Sequence, residues 1–270
     1  MRPQEPPRIS VAALQSLRFL QKLQSGVSGS VFLSEHIPTG SYVAVKQILV
    51  ETPSTAARFV AESKYSAAFC KHKHVVDMYA TFTHGNYAFI VMELMTNDLL
   101  DVLEQYKSEN DVQLIFQQVC KAVAHLHNGK VAHLDIKPEN ILLDKHGVAK
   151  LCDFGSSHSF SESLDCQVGT ELYRAPETKL CGDFDKASAD IWSLGVLLFL
   201  LLSGEFPYPG NTEEELLDSA KNEQVCFYTL EKTNRSKHAK SLVHQMLQKD
   251  PSSRPTIFEV LRHPFCFFFK

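Results

Sequence analysis

The apolar pattern of this chain changes period once, between residues 93 and 98, and that change limits what it can fold into. Upstream, apolar residues alternate or gather in β-branched runs; downstream they recur at steps of three and four. Strands followed by helices predict an α+β chain of two lobes, one small and β-rich, the other larger and mainly helical. FLQKL (19–23), VFLSEH (31–36) and SYVAVKQI (41–48) read as strands, the last two joined by Pro38, Thr39 and Gly40. YATFT and YAFIVME flank Gly85 and Asn86, which suit a tight hairpin. Between them STAARFVAESKYSAAF (54–69) predicts one helix, with Ser54 as its cap. Further on, Val112, Ile115, Phe116, Val119, Ala122, Val123 and Leu126 predict an amphipathic helix over about 111–127.

With 270 residues, 44% of them hydrophobic, the chain can bury a substantial core. A formal charge of −4 gives no field that recruits nucleic acid or an anionic membrane. IWSLGVLLFLLL (191–202) falls short of the ~20 apolar residues a membrane span needs, so a buried core helix is expected, bounded by Asp190 and Gly204. Seven scattered cysteines without a C-x-x-C pair point to a reducing compartment, and MRPQEPPRIS has no apolar signal region; the expectation is cytoplasmic, with nuclear access.

Four short stretches carry chemistry. LQSGVSGSV (23–31) sets Gly26 and Gly29 between two strand-like runs, where a bare backbone can approach phosphate, although a G-x-x-G turn by itself is more often a plain hairpin. In VAVK, Ala44 and Lys46 share one strand face. A lysine facing inward needs an anion, and Glu62 in the predicted helix can supply it. HLDIKPEN (133–140) holds Asp135, Lys137 and Asn140, and LCDFGSS (151–157) holds Asp153 ahead of Gly155. The close histidine pairs His72/His74 and His125/His127 lack the i, i+4 spacing of a helical zinc site, so no zinc is expected.

In that order, and with YRAPE (173–177), DIWSLG (190–195) and SSRPT (252–256) following, these stretches resemble a eukaryotic protein kinase domain of the serine/threonine branch over about 17–265. The resemblance implies the bilobal kinase-like fold: a flexible leader over 1–16, an N-lobe over 17–94 and a C-lobe over 95–270. It implies phosphoryl transfer from ATP, with Lys46 on the α/β phosphates and paired to Glu62. Asn140 and Asp153 would hold magnesium, or manganese in its place. Asp135 would accept the proton of the attacking hydroxyl, and Lys137 would steady the transferred group. Leu23, Gly26, Gly29, Val31 and Ala44 would cover the nucleotide from above and Leu142 from below, with backbone groups of Glu93 and Met95 at the adenine edge and Met92 controlling access behind it. Thr170 would bond near Asp135 and Lys137, a feature of kinases acting on serine and threonine in protein substrates. His133 would be structural, Asp190 would cap the catalytic loop, Cys152 would line the nucleotide pocket, and Glu177 would pair with Arg254 in the C-lobe.

Two positions depart from the pattern. Gln24 stands where the first glycine of the phosphate loop is usual, and Leu134 stands where most relatives have an arginine that pairs with a phosphorylated activation loop. Mos-like and Wee/Myt-like kinases share a non-arginine residue there. Activity without strict dependence on loop phosphate is therefore expected; the alternative is a scaffold that binds nucleotide and protein partners without efficient turnover. Asp98 and Glu139 are candidates to attract a basic residue of the substrate. HPFCFFFK (263–270) is unusually aromatic: Phe265 is expected to close the core, and Phe267, Phe268 and Phe269 to form an apolar patch for a docking partner or for the domain's own surface.

Overall fold

A computed structural model describes residues 13–26, 29–106, 108–164, 168–179, 183–210, 212–222, 225, 228–232 and 234–267. Five antiparallel strands form the first lobe: β1 (Leu17–Gly26), β2 (Gly29–His36), β3 (Ser41–Leu49), β4 (Met78–His84) and β5 (Tyr87–Met92), in the order β1-β2-β3-β5-β4. β3 is central, bonded to β2 on one side and β5 on the other. Its Val43 and Val45 pack with Leu17, Phe89 and Val91 on one face of the sheet, while Ile48 joins Ala88 and Ile90 on the other. Gly85, at φ +57°, makes the two-residue β4–β5 turn with Asn86.

Helix α1 (Pro53–Phe69) crosses this lobe, and its cap is Thr52, not Ser54. The Thr52 hydroxyl accepts the Thr55 N–H and the Thr55 hydroxyl accepts the Thr52 N–H, both at 3.1 Å. Pro53 follows as the first helical residue, where its missing N–H costs nothing, so Ser54 already lies inside the turn.

The second lobe is built on α2 (Glu109–Asn128) and α3 (Lys186–Ser203). Ser108 caps α2, whose first turn is polar, which is why the apolar pattern alone starts the helix two residues late. Asp185 caps α3 by accepting the Ala187 and Ser188 N–H groups, leaving Asp190 in the helix interior rather than at its opening. α3 is long and apolar enough to cross a membrane, with a mean hydropathy of 1.5, but 89% of it is buried against the rest of the protein. Around it lie α4 (Glu213–Asn222), α5 (Tyr228–Lys232), α6 (Lys237–Met246) and α7 (Ile257–Arg262).

Phe265 closes the core against Phe116, and the side-chain amides of Gln113 and Gln117 donate to the Phe265 and Cys266 carbonyls. Phe267 beyond them is exposed. Phe268 and Phe269 lie outside the described residues, as do Val27 and Ser28 at the tip of the β1–β2 hairpin. Of the leader, Ala13–Ser16 forms a 3-10 turn, with Leu14 against the sheet core, and residues 1–12 lie outside the description.

Candidate active site

Lys46 is carried by the central strand of the sheet, opposite Val31 on β2 and Ile90 on β5. It is only 5% exposed, and its ammonium lies 2.6 Å from Glu62 Oε1 and 3.1 Å from Asp153 Oδ1. Burial alone would lower its pKa; the two carboxylates more than offset that and raise it, so Lys46 stays a cation. Burial pushes the Glu62 carboxyl up, to about 7, against the pull of Lys46. Burial works the same way on Asp153, but the Lys46 ammonium and the Gly155 N–H hold its carboxyl down at about 2. Asp153 sits at φ +59°, heading the turn Phe154–Ser156.

A second network surrounds Asp135. Its Oδ1 accepts the Thr170 N–H at 2.9 Å and the Thr170 hydroxyl at 2.7 Å. Its Oδ2 lies 3.1 Å from the Lys137 ammonium and 3.0 Å from the Asn140 amide nitrogen. Lys137 also donates to the Thr170 hydroxyl at 2.6 Å. Gly169 makes this closeness possible: it sits at φ +85°, and a Cβ there would come within 2.2 Å of the Leu134 carbonyl oxygen.

The loop carrying Asp135 is held from beneath. Asp190, fully buried, accepts the backbone N–H groups of His133 and Leu134 and a hydrogen bond from His127 Nε2, all at 2.8 Å. These bonds hold Leu134 in the left-handed region, at φ +64°, with its side chain in the core. Both ring nitrogens of buried His133 are engaged: Nδ1 accepts the Asp135 N–H and Nε2–H donates to the Cys152 carbonyl. Cys152 joins the two networks, because its N–H bonds the Asn140 carbonyl at 3.0 Å while its neighbour is Asp153. Its thiol is pushed far up by burial and then by the adjacent Asp153 charge.

β8 (Ile141–Leu143) and β9 (Ala149–Leu151) form the floor, with Leu142 paired to Lys150 and, on β6 (Asn97–Asp98), to Asp98. Ala44 is buried opposite Met92. Leu23 lies at an irregularity of β1 and is exposed; Gly26 and Gly29 pair across the hairpin, and Gln24 pairs with Val31. A Cβ at Gly29 would lie 2.4 Å from the Gln47 carbonyl oxygen, so glycine is required there by the sheet itself. The Glu93 N–H is used by the Asp77 carbonyl and its carboxylate by Lys150 at 2.6 Å, a pair the sequence pattern does not reveal. The Met95 N–H has no partner among the described residues.

The donor set fits a hard divalent cation carried in with phosphates. Asn140 uses its amide N–H groups on Asp135, which leaves its oxygen as a ligand, and Asp153 offers its second carboxylate oxygen. Among the described residues no three His, Cys, Asp or Glu side chains form a cage of their own. Magnesium takes few protein ligands and draws on phosphates and water for the rest.

The profile described as "Protein kinase domain" matches residues 17–266. The chain is 32% identical to human SNF-related serine/threonine-protein kinase over 244 residues, covering 87% of this chain and 31% of that protein. It is 32% identical to mouse serine/threonine-protein kinase 33, covering 88% and 52% of the two chains, and 33% identical to protein kinase domain-containing protein ppk9 of Schizosaccharomyces pombe, covering 90% and 46%. It thus spans about half the length of these relatives or less. A profile match over nearly the whole chain, joined to a lysine–glutamate pair and an aspartate network linked through Cys152, means that the chain belongs to the protein kinase domain family.

Proposed function

We propose that the protein is an ATP-dependent serine/threonine protein kinase, acting through a catalytic loop without the usual arginine and not strictly dependent on activation-loop phosphate. The observation that carries this reading is the simultaneous formation of the Lys46–Glu62–Asp153 cluster and the Asp135–Lys137–Thr170–Asn140 network, with Cys152 bonded between them. Phosphoryl transfer asks the protein mainly to position groups and to balance charge. Lys46, fixed by Glu62, binds the α/β phosphates, while the Ala44 side and Leu142 enclose the base and the free Met95 N–H and the Glu93 carbonyl read its edge. Asp135 orients the acceptor hydroxyl and takes its proton, and Lys137, 3.1 Å away, neutralises charge on the group in flight. Asn140 and Asp153 would hold magnesium, which would further neutralise the phosphates when bound.

Thr170 favours serine and threonine acceptors because it ties the substrate-facing segment to Asp135 and Lys137. Leu134 supports the second half of the proposal: a buried aliphatic side chain offers a loop phosphate no cation. Glu139 Oε2 is buried without a hydrogen-bond partner among the described residues and, with Asp98, is the proposed reader of a basic residue in the substrate. A cytoplasmic setting and a docking partner at the aromatic C-terminus belong to the same proposal and rest on sequence alone.

The test is phosphate transfer from Mg-ATP to serine/threonine and tyrosine peptide pools by phosphatase-treated enzyme, beside Lys46→Met. Transfer to serine and threonine, lost in the variant, is expected. Equal residual signal in both proteins would mean a nucleotide-binding scaffold, and a strict requirement for loop phosphate would remove the role given to Leu134.

A further inference from the structure

The segment after Asp153 carries an acid that the catalytic residues do not use. Glu162 sits at the end of a turn closed by its own N–H on the Ser159 carbonyl, and its carboxylate collects three donors: the Ser159 N–H at 2.9 Å, the Tyr65 hydroxyl at 2.8 Å and the Lys64 ammonium at 3.0 Å. Tyr65 also accepts the Ser159 N–H at 3.1 Å. This places a three-way junction between the activation segment and α1, spanning 97 residues of sequence at its Tyr65–Glu162 bond.

Position on the helix gives the junction its meaning. Tyr65 follows Glu62 by three residues, so the two share the buried face of α1; Tyr65 is only 4% exposed. The other end of the junction is anchored to the catalytic loop. β10 (His158–Ser159) pairs with β7 (Val131–Ala132), the Phe160 N–H bonds the Lys130 carbonyl, the Phe160 ring meets the edge of His127, and the Ser157 hydroxyl donates to the His133 carbonyl. A continuous path therefore runs from the Asp135 loop through residues 157–162 and Tyr65 to Glu62 and Lys46.

The parts of the junction are unequal. Lys64 and Glu162 are half exposed, and an ion pair of that kind contributes little by itself. The Tyr65 and Ser159 bonds are shielded and end on a charged acceptor, which makes them the strong members. Burial works to raise the Glu162 pKa, but the Ser159 N–H, Lys64 and Tyr65 hold its carboxyl down at about 2, so its charge is permanent at working pH. Burial likewise raises the Tyr65 phenol, keeping it a donor.

We propose that Tyr65 and Glu162 are positioning residues for phosphoryl transfer: their hydrogen bond fastens α1 to the activation segment with Glu62 on Lys46, a genetically encoded anion doing without added phosphate. The inference rests on the phosphate-independent kinase reading and names the device behind it. Glu162 on the segment takes the place of a loop phosphate, and the donors Tyr65 and Lys64 on α1 take the place of the cation that Leu134 does not supply.

The experiment uses enzyme freed of phosphate by phosphatase and compares wild type, Tyr65→Phe, Glu162→Gln and the double variant for kcat, for KM of a serine peptide and for thermal midpoint. Tyr65→Phe removes the hydroxyl that joins Glu162 and Ser159, and Glu162→Gln removes the charge on which the junction ends; each should lower kcat about tenfold, with the peptide KM within about twofold. The double variant should be no more than about twofold slower than the worse single one, because both disable the same junction. A fall in thermal midpoint with kcat kept within about 1.5-fold of wild type, or losses that multiply in the double variant, would overturn the inference while leaving the kinase reading intact. A phosphate-free wild type that transfers nothing would overturn both.

Discussion

Asp190→Asn tests how the fold holds its catalytic loop. The carboxylate is fully buried and takes three hydrogen bonds at 2.8 Å, from His133, Leu134 and His127. An asparagine keeps one acceptor and turns an NH2 group toward a donor on the other side. With its oxygen on His133 and His127, the Leu134 N–H is left buried and unpaired, in a residue already at φ +64°. A charged hydrogen bond contributes about 1.5–3 kcal/mol, and stranding the donor adds to its loss, so a destabilisation of roughly 3 kcal/mol is expected. For a chain of this size that is a drop of about 5–6 °C in thermal midpoint. kcat should fall with it, because Leu134 relaxing toward ordinary backbone moves Asp135. The assay is thermal unfolding with parallel kinetics, repeated in a Leu134→Gly background. Leucine bears about 1–2 kcal/mol at positive φ and recovers part of it on relaxing, whereas glycine adopts that φ freely and has nothing to recover, so the asparagine penalty should grow by about 1 kcal/mol in that background. A midpoint shift below about 2 °C, or an identical penalty in both backgrounds, would refute the argument.

Three further outcomes follow from the geometry. Glu177 pairs with Arg254 through bonds of 2.6 and 2.9 Å, and the guanidinium is wholly buried, so Glu177→Gln should cost about 3 kcal/mol in urea unfolding while the KM for ATP stays put. Asp153 is depressed from 3.8 to about 2 in the fold, so its ionisation stabilises above about pH 4 and that contribution drains as pH falls through 2; its size is about 2 kcal/mol, and the stability gap to Asp153→Asn should narrow by that much between pH 6 and pH 2. The Cys152 thiol, raised by burial and by Asp153, should react with iodoacetamide at pH 8 over hours rather than minutes, read by mass spectrometry; rapid alkylation would show it more open than the structure has it.

The strands, α1, α2 and α3 were legible because burial imposes period on sequence: Val43 and Val45 alternate with Ala44 and Lys46, and Val112 to Leu126 keep one helical face. Helix starts were harder. Thr52 outcompetes Ser54 because Pro53 fixes where the helix begins, and Asp185 rather than Asp190 meets the free N–H groups of α3. The catalytic residues stood out through short-range spacing, and the geometry brings Lys46 to Glu62 and Asp135 to Lys137, Asn140 and Thr170. Lys150–Glu93 and Tyr65–Glu162 had no such signal, since each joins residues far apart in sequence by a single tertiary contact.

On the proposed reading Lys46, Asn140 and Asp153 grip the nucleotide, and Asp135 serves the acceptor hydroxyl. Measuring Mg-ATP affinity and kcat side by side for Asp135→Asn separates the two most directly. The account predicts affinity within about threefold of wild type and kcat lower by about two orders of magnitude or more, the range general-base removal produces. Undiminished kcat, or affinity that collapses along with it, would contradict the assignment.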